Sequence, residues 1–146
     1  LSALAGSTVE ILADGVVQTA QAVTAAGKVT MDTRKARSVV HVGLPIAAQI
    51  QSMPVTRQIE AYAQGRQKNI SDVWVRVNES GQFKIGPSLA DLVPSDASIP
   101  VETITSTEVQ VMPTGDWDAG GQFWVVQDAP LPLTVLGMTL RVSIGG

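Results

Sequence analysis

The sequence predicts an all-β fold, an antiparallel β-sandwich or barrel of about eight or nine short strands with at most one short helix. Apolar and polar residues alternate over most of the chain, which is the period of strands rather than of helices. Thirteen glycines and eight prolines interrupt these runs at short intervals, as turns between antiparallel strands require. A length of 146 residues suits one domain, and we expect 1–146 to form a single β-rich domain.

The first half of the chain carries four strand signals. Asp14-Gly15 separates two β-prone runs and predicts a hairpin. Gly27 predicts a turn that leads into a short strand over Lys28–Asp32. The run "SVVHVGLP" (38–45) and the run "SDVWVRVN" (71–78) alternate with period 2. The second of them predicts three valines on one face and Trp74, Arg76 and Asn78 on the other.

The middle of the chain is less regular. The segment 54–68 is the one helical candidate, and Gly65 within it would end the helix. The run "ESGQFKIGP" predicts a turn and a short strand, and the proline-rich 86–100 predicts a connecting loop. The Thr/Val-rich run "VETITSTEVQVMP" (101–113) predicts a further strand.

The last 32 residues predict a hairpin that closes a sheet. Gly115–Gly121 would form its turn and "QFWVVQ" its first strand, with Phe123 and Trp124 on opposite faces. An extended connector with two prolines leads to the final strand, which alternates from Leu136 to Ile144. The three alternating runs together predict one shared core, formed by Val40, Val42, Val73, Val75, Leu136, Leu140 and Val142.

The residues that usually carry chemistry are sparse. The chain has no cysteine and one histidine, His41, and no nucleophile with a partner base is apparent. Asp116 and Asp118 resemble the start of a calcium loop, but the later ligands are missing, and a turn explains them better. We therefore expect no catalytic residue, no cofactor site and no metal site, and we do not expect an enzyme.

Binding through a surface is the better prediction. Trp and Arg are enriched at protein interfaces, although a second sheet packed over Trp74 would explain its position equally well. Basic segments at 33–37 and 66–69 lack interleaved aromatic residues in an acidic chain, which argues against sequence-specific nucleic-acid binding. The residues that we predict to lie in an interface are Trp74, Arg76, Arg34, Lys35, Arg37, Trp117 and Trp124.

Charge is unevenly distributed along the chain. Residues 1–85 hold nine Lys/Arg against six Asp/Glu, a net charge of +3, and residues 86–146 hold one against seven, a net charge of −6. A chain whose two parts have opposite net charge is compatible with head-to-tail association, in which the basic part of one subunit contacts the acidic part of the next. No uncharged apolar run reaches 18 residues, so we expect no insertion into a membrane.

Three segments in order resemble one family. "SVVHVGLP", "QGRQKNISDVWVRVNESGQFKIGP" and "GDWDAGGQFWVVQDAPLPLTVLGMTLRVSIGG" are similar to the C-terminal region of short-tailed phage virion proteins of the tail nozzle, tail tubular protein B and tail stabilisation type. The resemblance covers most of 38–146 and implies that the chain is the C-terminal part of a longer one. Three positions depart from the family pattern: Ile46 stands where an aromatic residue is expected, and Gln67 and Asn69 thin out the basic segment.

The resemblance implies a structural role in the virion. Members of this family form multi-subunit rings at the tail through which DNA leaves the capsid. By this resemblance, the partners are further copies of the chain and neighbouring tail proteins, with DNA passing close by. The alternative is a β-sandwich module that binds a host-surface glycan or receptor through aromatic side chains such as Trp117 and Trp124.

Overall fold

The computed structural model describes residues 1–31, 36–55, 66–96, 103–112 and 120–145. These residues form one short 3-10 turn, Ser2–Leu4, and ten strands in three antiparallel sheets, with no closed barrel. The all-β prediction is therefore confirmed. Of the helical candidate at 54–68, residues 56–65 lie outside the described residues, and its described ends are irregular or, at Lys68, the start of a strand. The strands are β1 Thr8–Ala13, β2 Val16–Ala22, β3 Val40–Gly43, β4 Ala48–Gln51, β5 Lys68–Val77, β6 Lys84–Gly86, β7 Val93–Pro94, β8 Glu108–Val111, β9 Trp124–Gln127 and β10 Val135–Ile144.

Contacts divide the chain into two compact units. Unit 1 comprises Leu1–Ala47 with Asp128–Leu131, and unit 2 comprises Ala48–Gln127 with Pro132–Gly146. This division by contacts does not test the expectation that 1–146 is a single domain, which stays a prediction.

Unit 1 contains sheet 1, in which the strand order is β2-β1-β3. Its hairpin turns at Asp14-Gly15, as predicted, and both residues have positive φ (51° and 79°). That is the backbone of a type I′ turn, whose twist matches the flanking strands. Val9, Ile11 and Val23 form the buried core of this unit. The strand predicted over Lys28–Asp32 is absent from residues 28–31, where the chain is irregular although Val29 and Met31 still pack against that core.

Unit 2 is a sandwich of two sheets. Sheet 2 has the order β4-β9-β6-β7, and sheet 3 has the order β10-β5-β8. One apolar cluster joins the two sheets. Its buried members are Ile70, Val73, Val75, Val77, Phe83, Ile85, Val111, Phe123 and Val125.

The prediction of one shared core was wrong. Val73 and Val75 are fully buried in unit 2, and Leu140 and Val142 pack against them, but Val42 packs in the core of unit 1. Val40 is 38% exposed, because it opens β3 opposite the small side chain of Ala13.

Leu136 also lies outside the core. Val135 pairs with Val77 and Gly137 with Arg76, so Leu136 is the extra residue of a β-bulge. A bulge reverses the faces on which the following side chains lie.

The predicted closing hairpin was wrong as well. The strand β9 pairs with β4 and β6 in sheet 2, whereas β10 pairs with β5 in sheet 3. The proline-containing connector thus carries the chain from one sheet to another, and its Pro132 carbonyl accepts a hydrogen bond from Gly81 N–H (2.9 Å). The turn expected at Gly115–Gly121 lies mostly outside the described residues.

Candidate functional site: the outer face of sheet 3

The strand β5 is the centre of sheet 3 and separates two kinds of side chain. Val73, Val75 and Val77 are buried toward the sandwich core, whereas Trp74 is half-buried and Arg76 is exposed on the opposite side. The period-2 alternation of the sequence predicts this arrangement, and the structure confirms it.

Neighbouring strands complete this outer face. Trp74 lies in register between Gln110 and Thr139, and Arg76 lies between Glu108 and Gly137. We refer to this surface as the Trp74 face. Its side chains are Asp72, Trp74, Arg76, Glu108, Gln110, Thr139 and Arg141.

Arg141 covers the tryptophan. Its guanidinium carbon lies 5.5 Å from the centroid of the Trp74 ring, within cation–π range. The same guanidinium lies 3.3 Å from the Asp72 carboxylate, while the Arg141 side chain as a whole stays 67% exposed. A planar cation that lies over an aromatic ring and beside a carboxylate has two partners that restrict its orientation.

Asp72 anchors this arrangement. Its carboxylate accepts hydrogen bonds from the Ser71 hydroxyl (2.9 Å) and from the Gln110 amide (2.9 Å), in addition to the contact with Arg141. The hydrogen bond from Ser71, followed by the one from Gln110, lowers the pKa of Asp72 below its ordinary value, and the charge of Arg141 acts in the same direction. The carboxylate therefore stays ionised near neutral pH, which suits an anchor and does not suit a general acid or base.

A cleft of about 450 Å³ adjoins the Trp74 face. Arg76, Asn78, Ser106, Glu108 and the bulged Leu136 are among its lining residues. Leu136 is 61% exposed there. A large apolar side chain beside a charged pair is a common composition at protein contacts.

A second cleft of about 650 Å³ runs along β8 toward β7, the edge strands of the two sheets of unit 2. Hydroxyl and amide side chains line much of it, including Gln82, Ser95, Thr103 and Thr105. Among the described residues, no group of three His, Cys, Asp or Glu side chains is placed to hold a metal ion.

Four of the residues predicted for an interface belong to the described part of the chain. Trp74 and Arg76 share the Trp74 face. Trp124 is half-buried on sheet 2, in register with Gln51 and Gly86. Arg37 belongs to unit 1, where its charge contributes to lowering the pKa of Asp14. Arg34, Lys35 and Trp117 lie outside the described residues.

One charged residue of the predicted basic segments is buried. Lys68, in the basic segment 66–69, is buried at 4% exposure and donates to the Arg66 carbonyl (3.4 Å). Its stem lies where a side chain on Gly121 would have to be, since a Cβ there would come within 3.0 Å of Lys68 Cδ. This lysine does not present its ammonium group as a surface lysine does.

The histidine lies in unit 1. His41 is exposed on β3 opposite Leu12, and it lines a cleft of about 220 Å³ together with Glu10, Leu44 and Pro130. An acid and a histidine on one wall are too few to define a reaction.

Sequence reasoning missed five of the seven side chains of the Trp74 face. Asp72 shares the outer face with Trp74 by simple alternation along β5, whereas the extra residue Ser71, opposite the step from Arg141 to Val142, turns Ile70 toward the core. Glu108 and Gln110 did alternate with two valines in the sequence. However, nothing in that alternation indicated that β8 would lie beside β5 rather than in another sheet.

A scan of the chain against protein-family models gives no match, and a comparison with curated proteins gives none either. No helix in the described part of the chain is long and apolar enough to cross a membrane.

Proposed function

We propose that this chain is a structural virion protein, a component of a phage tail nozzle that assembles into a ring through which DNA leaves the capsid. Its site of action is the phage tail, and its partners are further copies of itself and adjoining tail proteins. Two features support the proposal: the ordered resemblance of three segments to tail nozzle proteins, and the Trp74 face.

The Trp74 face carries the structural part of the proposal. Interfaces are enriched in Trp and Arg, and Trp, Tyr and Arg carry most of their binding energy. Here Trp74 lies at the centre of a sheet surface with Arg141 and Arg76 beside it. The Asp72 network holds Arg141 in place before any partner arrives, so that little side-chain freedom is lost when a partner binds.

The segments behind the resemblance coincide with structural elements. "VHVG" is β3, "KNISDVWVRV" is β5, and "KIG" is β6. The run from Trp124 to Ile144 comprises β9, the connector and β10. The resemblance therefore falls on one strand of unit 1 and on four of the seven strands of unit 2, and not on the turns alone.

The charge asymmetry along the sequence does not support the proposal. Unit 1 holds four basic and four acidic side chains, and unit 2 holds six basic against nine acidic, so neither unit carries a net positive charge. Moreover, Arg76 of the first half faces Glu108 of the second half across two strands of one sheet. The two halves of the sequence thus neutralise each other partly within unit 2.

The experiment uses the full-length protein and measures ring assembly by mass photometry over a range of concentrations. We expect Trp74→Ala and Arg76→Glu each to raise the concentration needed for assembly by about 30-fold, the equivalent of a 2 kcal/mol hot spot. Lys28→Glu is the matched control for Arg76→Glu, because it makes the same change in charge at an exposed site in unit 1. Circular dichroism melting checks that each variant is folded.

Two results would reject the proposal. A full-length protein that remains monomeric at every concentration is not a ring component. Saturable binding of a defined glycan, lost on replacing Trp124 or Trp117, would move the function to the host-receptor alternative. Assembly that is unaffected by both Trp74→Ala and Arg76→Glu would reject the Trp74 face as the contact.

A further inference from the structure

Sheet 3 has two free edges among the residues that the structure describes. Within the described part of the chain, β10 and β8 each pair with β5 and with no other strand. A free edge presents a row of backbone N–H and C=O groups that can pair with a strand of another chain.

The edge formed by β10 is unusually unprotected. It is ten residues long, and it contains neither proline nor lysine. Arg141 is its single charged residue, and Leu136 and Met138 are exposed (61% and 39%). Natural edge strands usually carry several charges or a proline, or are very short, because those features prevent pairing with other chains.

The edge formed by β8 opens into the larger cleft. All four residues of the strand, with Thr107 before it and Met112 after it, line that cavity of about 650 Å³. Met112 is 71% exposed. The free side of β8 is therefore accessible to a strand that approaches along the cleft.

The two edges are compatible with each other. Both β8 and β10 run antiparallel to β5, so they run in the same direction. A second copy in the same orientation would bring its β10 alongside β8 as a parallel pair, which is a head-to-tail contact. Contacts of this kind close into a ring when the rotation between copies allows it.

Charge disfavours the pairing of like edges. The single charged residue of β8 is Glu108, and that of β10 is Arg141. A β8–β8 or a β10–β10 contact places two charges of one sign on the joined edge, whereas in a β8–β10 contact the two charges have opposite sign and lie on one face about four residues apart.

We propose that β10 of one copy adds to the β8 edge of the next, so that sheet 3 continues from subunit to subunit around the assembly. This inference rests on the proposed ring function, and it adds an edge contact to the one proposed through the Trp74 face. The shared partner strand sets the expected register, because Trp74 pairs with both Gln110 and Thr139, and Val75 pairs with both Val109 and Met138. With the copies at one height, Gln110 faces Thr139 of the next copy on the outer side, and Val109 faces its Met138 on the core side.

Engineered cysteines test this register. The 146 residues contain no cysteine. Within one chain, Gln110 and Thr139 lie two strand spacings apart, about 10 Å, which exceeds the limit of about 7 Å for a disulfide. A disulfide in the double variant Gln110→Cys/Thr139→Cys of the full-length protein therefore joins two subunits. The control pair is Gln110→Cys/Ser143→Cys, in which the second cysteine lies four residues, or about 13 Å, further along the same exposed strand.

We expect mild oxidation to convert the first double variant into a ladder of covalent multimers on a non-reducing gel, with at least tenfold less product from the control pair. Each single variant should give dimers at most. An independent measurement uses Met138→Lys, which places a charge on the free edge at an exposed position. It should raise the concentration needed for ring assembly at least tenfold without lowering the melting temperature.

The outcomes separate the two proposals. Edge pairing would be overturned if Met138→Lys formed rings as the wild type does and if no cysteine pair that joins position 110 to position 137, 139 or 141 gave a ladder. The proposed ring function would still stand in that case. A wild-type full-length protein that forms no ring would overturn the proposed function itself.

Discussion

Leu136 and Leu140 are four residues apart on one strand, yet they have opposite surroundings. Leu140 packs against the core of unit 2, while Leu136 is 61% exposed beside Arg76. In a regular strand, residues i and i+4 share a face. The bulge at Leu136 breaks that relation, since Val135 and Gly137 are paired with successive residues of β5.

This difference gives a matched pair of substitutions. Leu140→Ala should lower the free energy of unfolding by about 2 kcal/mol, the low end of the range for large-to-small core changes, because the side chain is only partly buried. Leu136→Ala should stay within about 0.5 kcal/mol, as expected for an exposed position. Urea unfolding followed by circular dichroism measures both. Equal losses in the two variants would show that the bulge is misplaced.

The fold class follows from the sequence because it depends on periodicity. The Asp14-Gly15 turn and the alternation around Trp74 are local signals, and both appear in the structure as predicted. The division of Phe123 (1% exposed) from half-buried Trp124 is equally local. In each case the signal comes from neighbouring residues, since successive side chains of a strand lie on opposite faces.

Sheet membership does not follow from periodicity, because pairing is a long-range property. The runs around Trp124 and after Val135 looked like two strands of one hairpin, but they belong to different sheets. Bulges are equally hard to foresee, since an extra residue such as Leu136 or Ser71 changes parity without a distinctive sequence. The Trp74 face depends on the pairing of β8 and β10 with β5, which explains why only side chains of β5 could be placed on it beforehand.

Gly86 occupies a position that has no room for a side chain. The loop after β6 folds back so closely that a Cβ on Gly86 would come within 2.1 Å of the Asp91 carbonyl oxygen. Gly86→Ala should therefore destabilise the protein by about 1–3 kcal/mol, because backbone atoms must move to admit the methyl group. Thermal unfolding with a calorimetric measurement tests this expectation.

Gly137→Ala is the control for Gly86→Ala. A Cβ on Gly137 meets nothing within 4 Å, and this residue also lies in a strand. We expect it to change stability by less than about 0.5 kcal/mol. If both glycines respond equally, the effect comes from the loss of glycine in a strand and not from the contact with Asp91.

Asp14 joins the hairpin turn of unit 1 to the start of β3. Its carboxylate accepts hydrogen bonds from the backbone N–H groups of Val39 (2.8 Å) and Ser38 (3.1 Å), and its own N–H donates to the Val39 carbonyl (2.8 Å). The bonds from Val39 and then Ser38 lower the pKa of Asp14 below its ordinary value of 3.8. A lowered pKa in the folded state means that folding favours the ionised carboxylate.

Acid should therefore weaken the connection between the hairpin turn and the start of β3. The stabilisation by Asp14 is fully present above the pKa of the unfolded chain, about 3.9, and is lost as the pH falls through the lower pKa of the folded state. Asp14→Asn removes this titration, while asparagine still tolerates the positive φ of 51° and retains one carbonyl acceptor. Between about pH 5 and pH 2, stability should therefore fall more steeply in the wild type than in the variant, as linkage requires. Hydrogen exchange of the Ser38 and Val39 amides over this pH range, corrected for the intrinsic exchange rates, reports the link locally. Parallel pH profiles for the two proteins would show that Asp14 does not couple the turn to β3 through its charge.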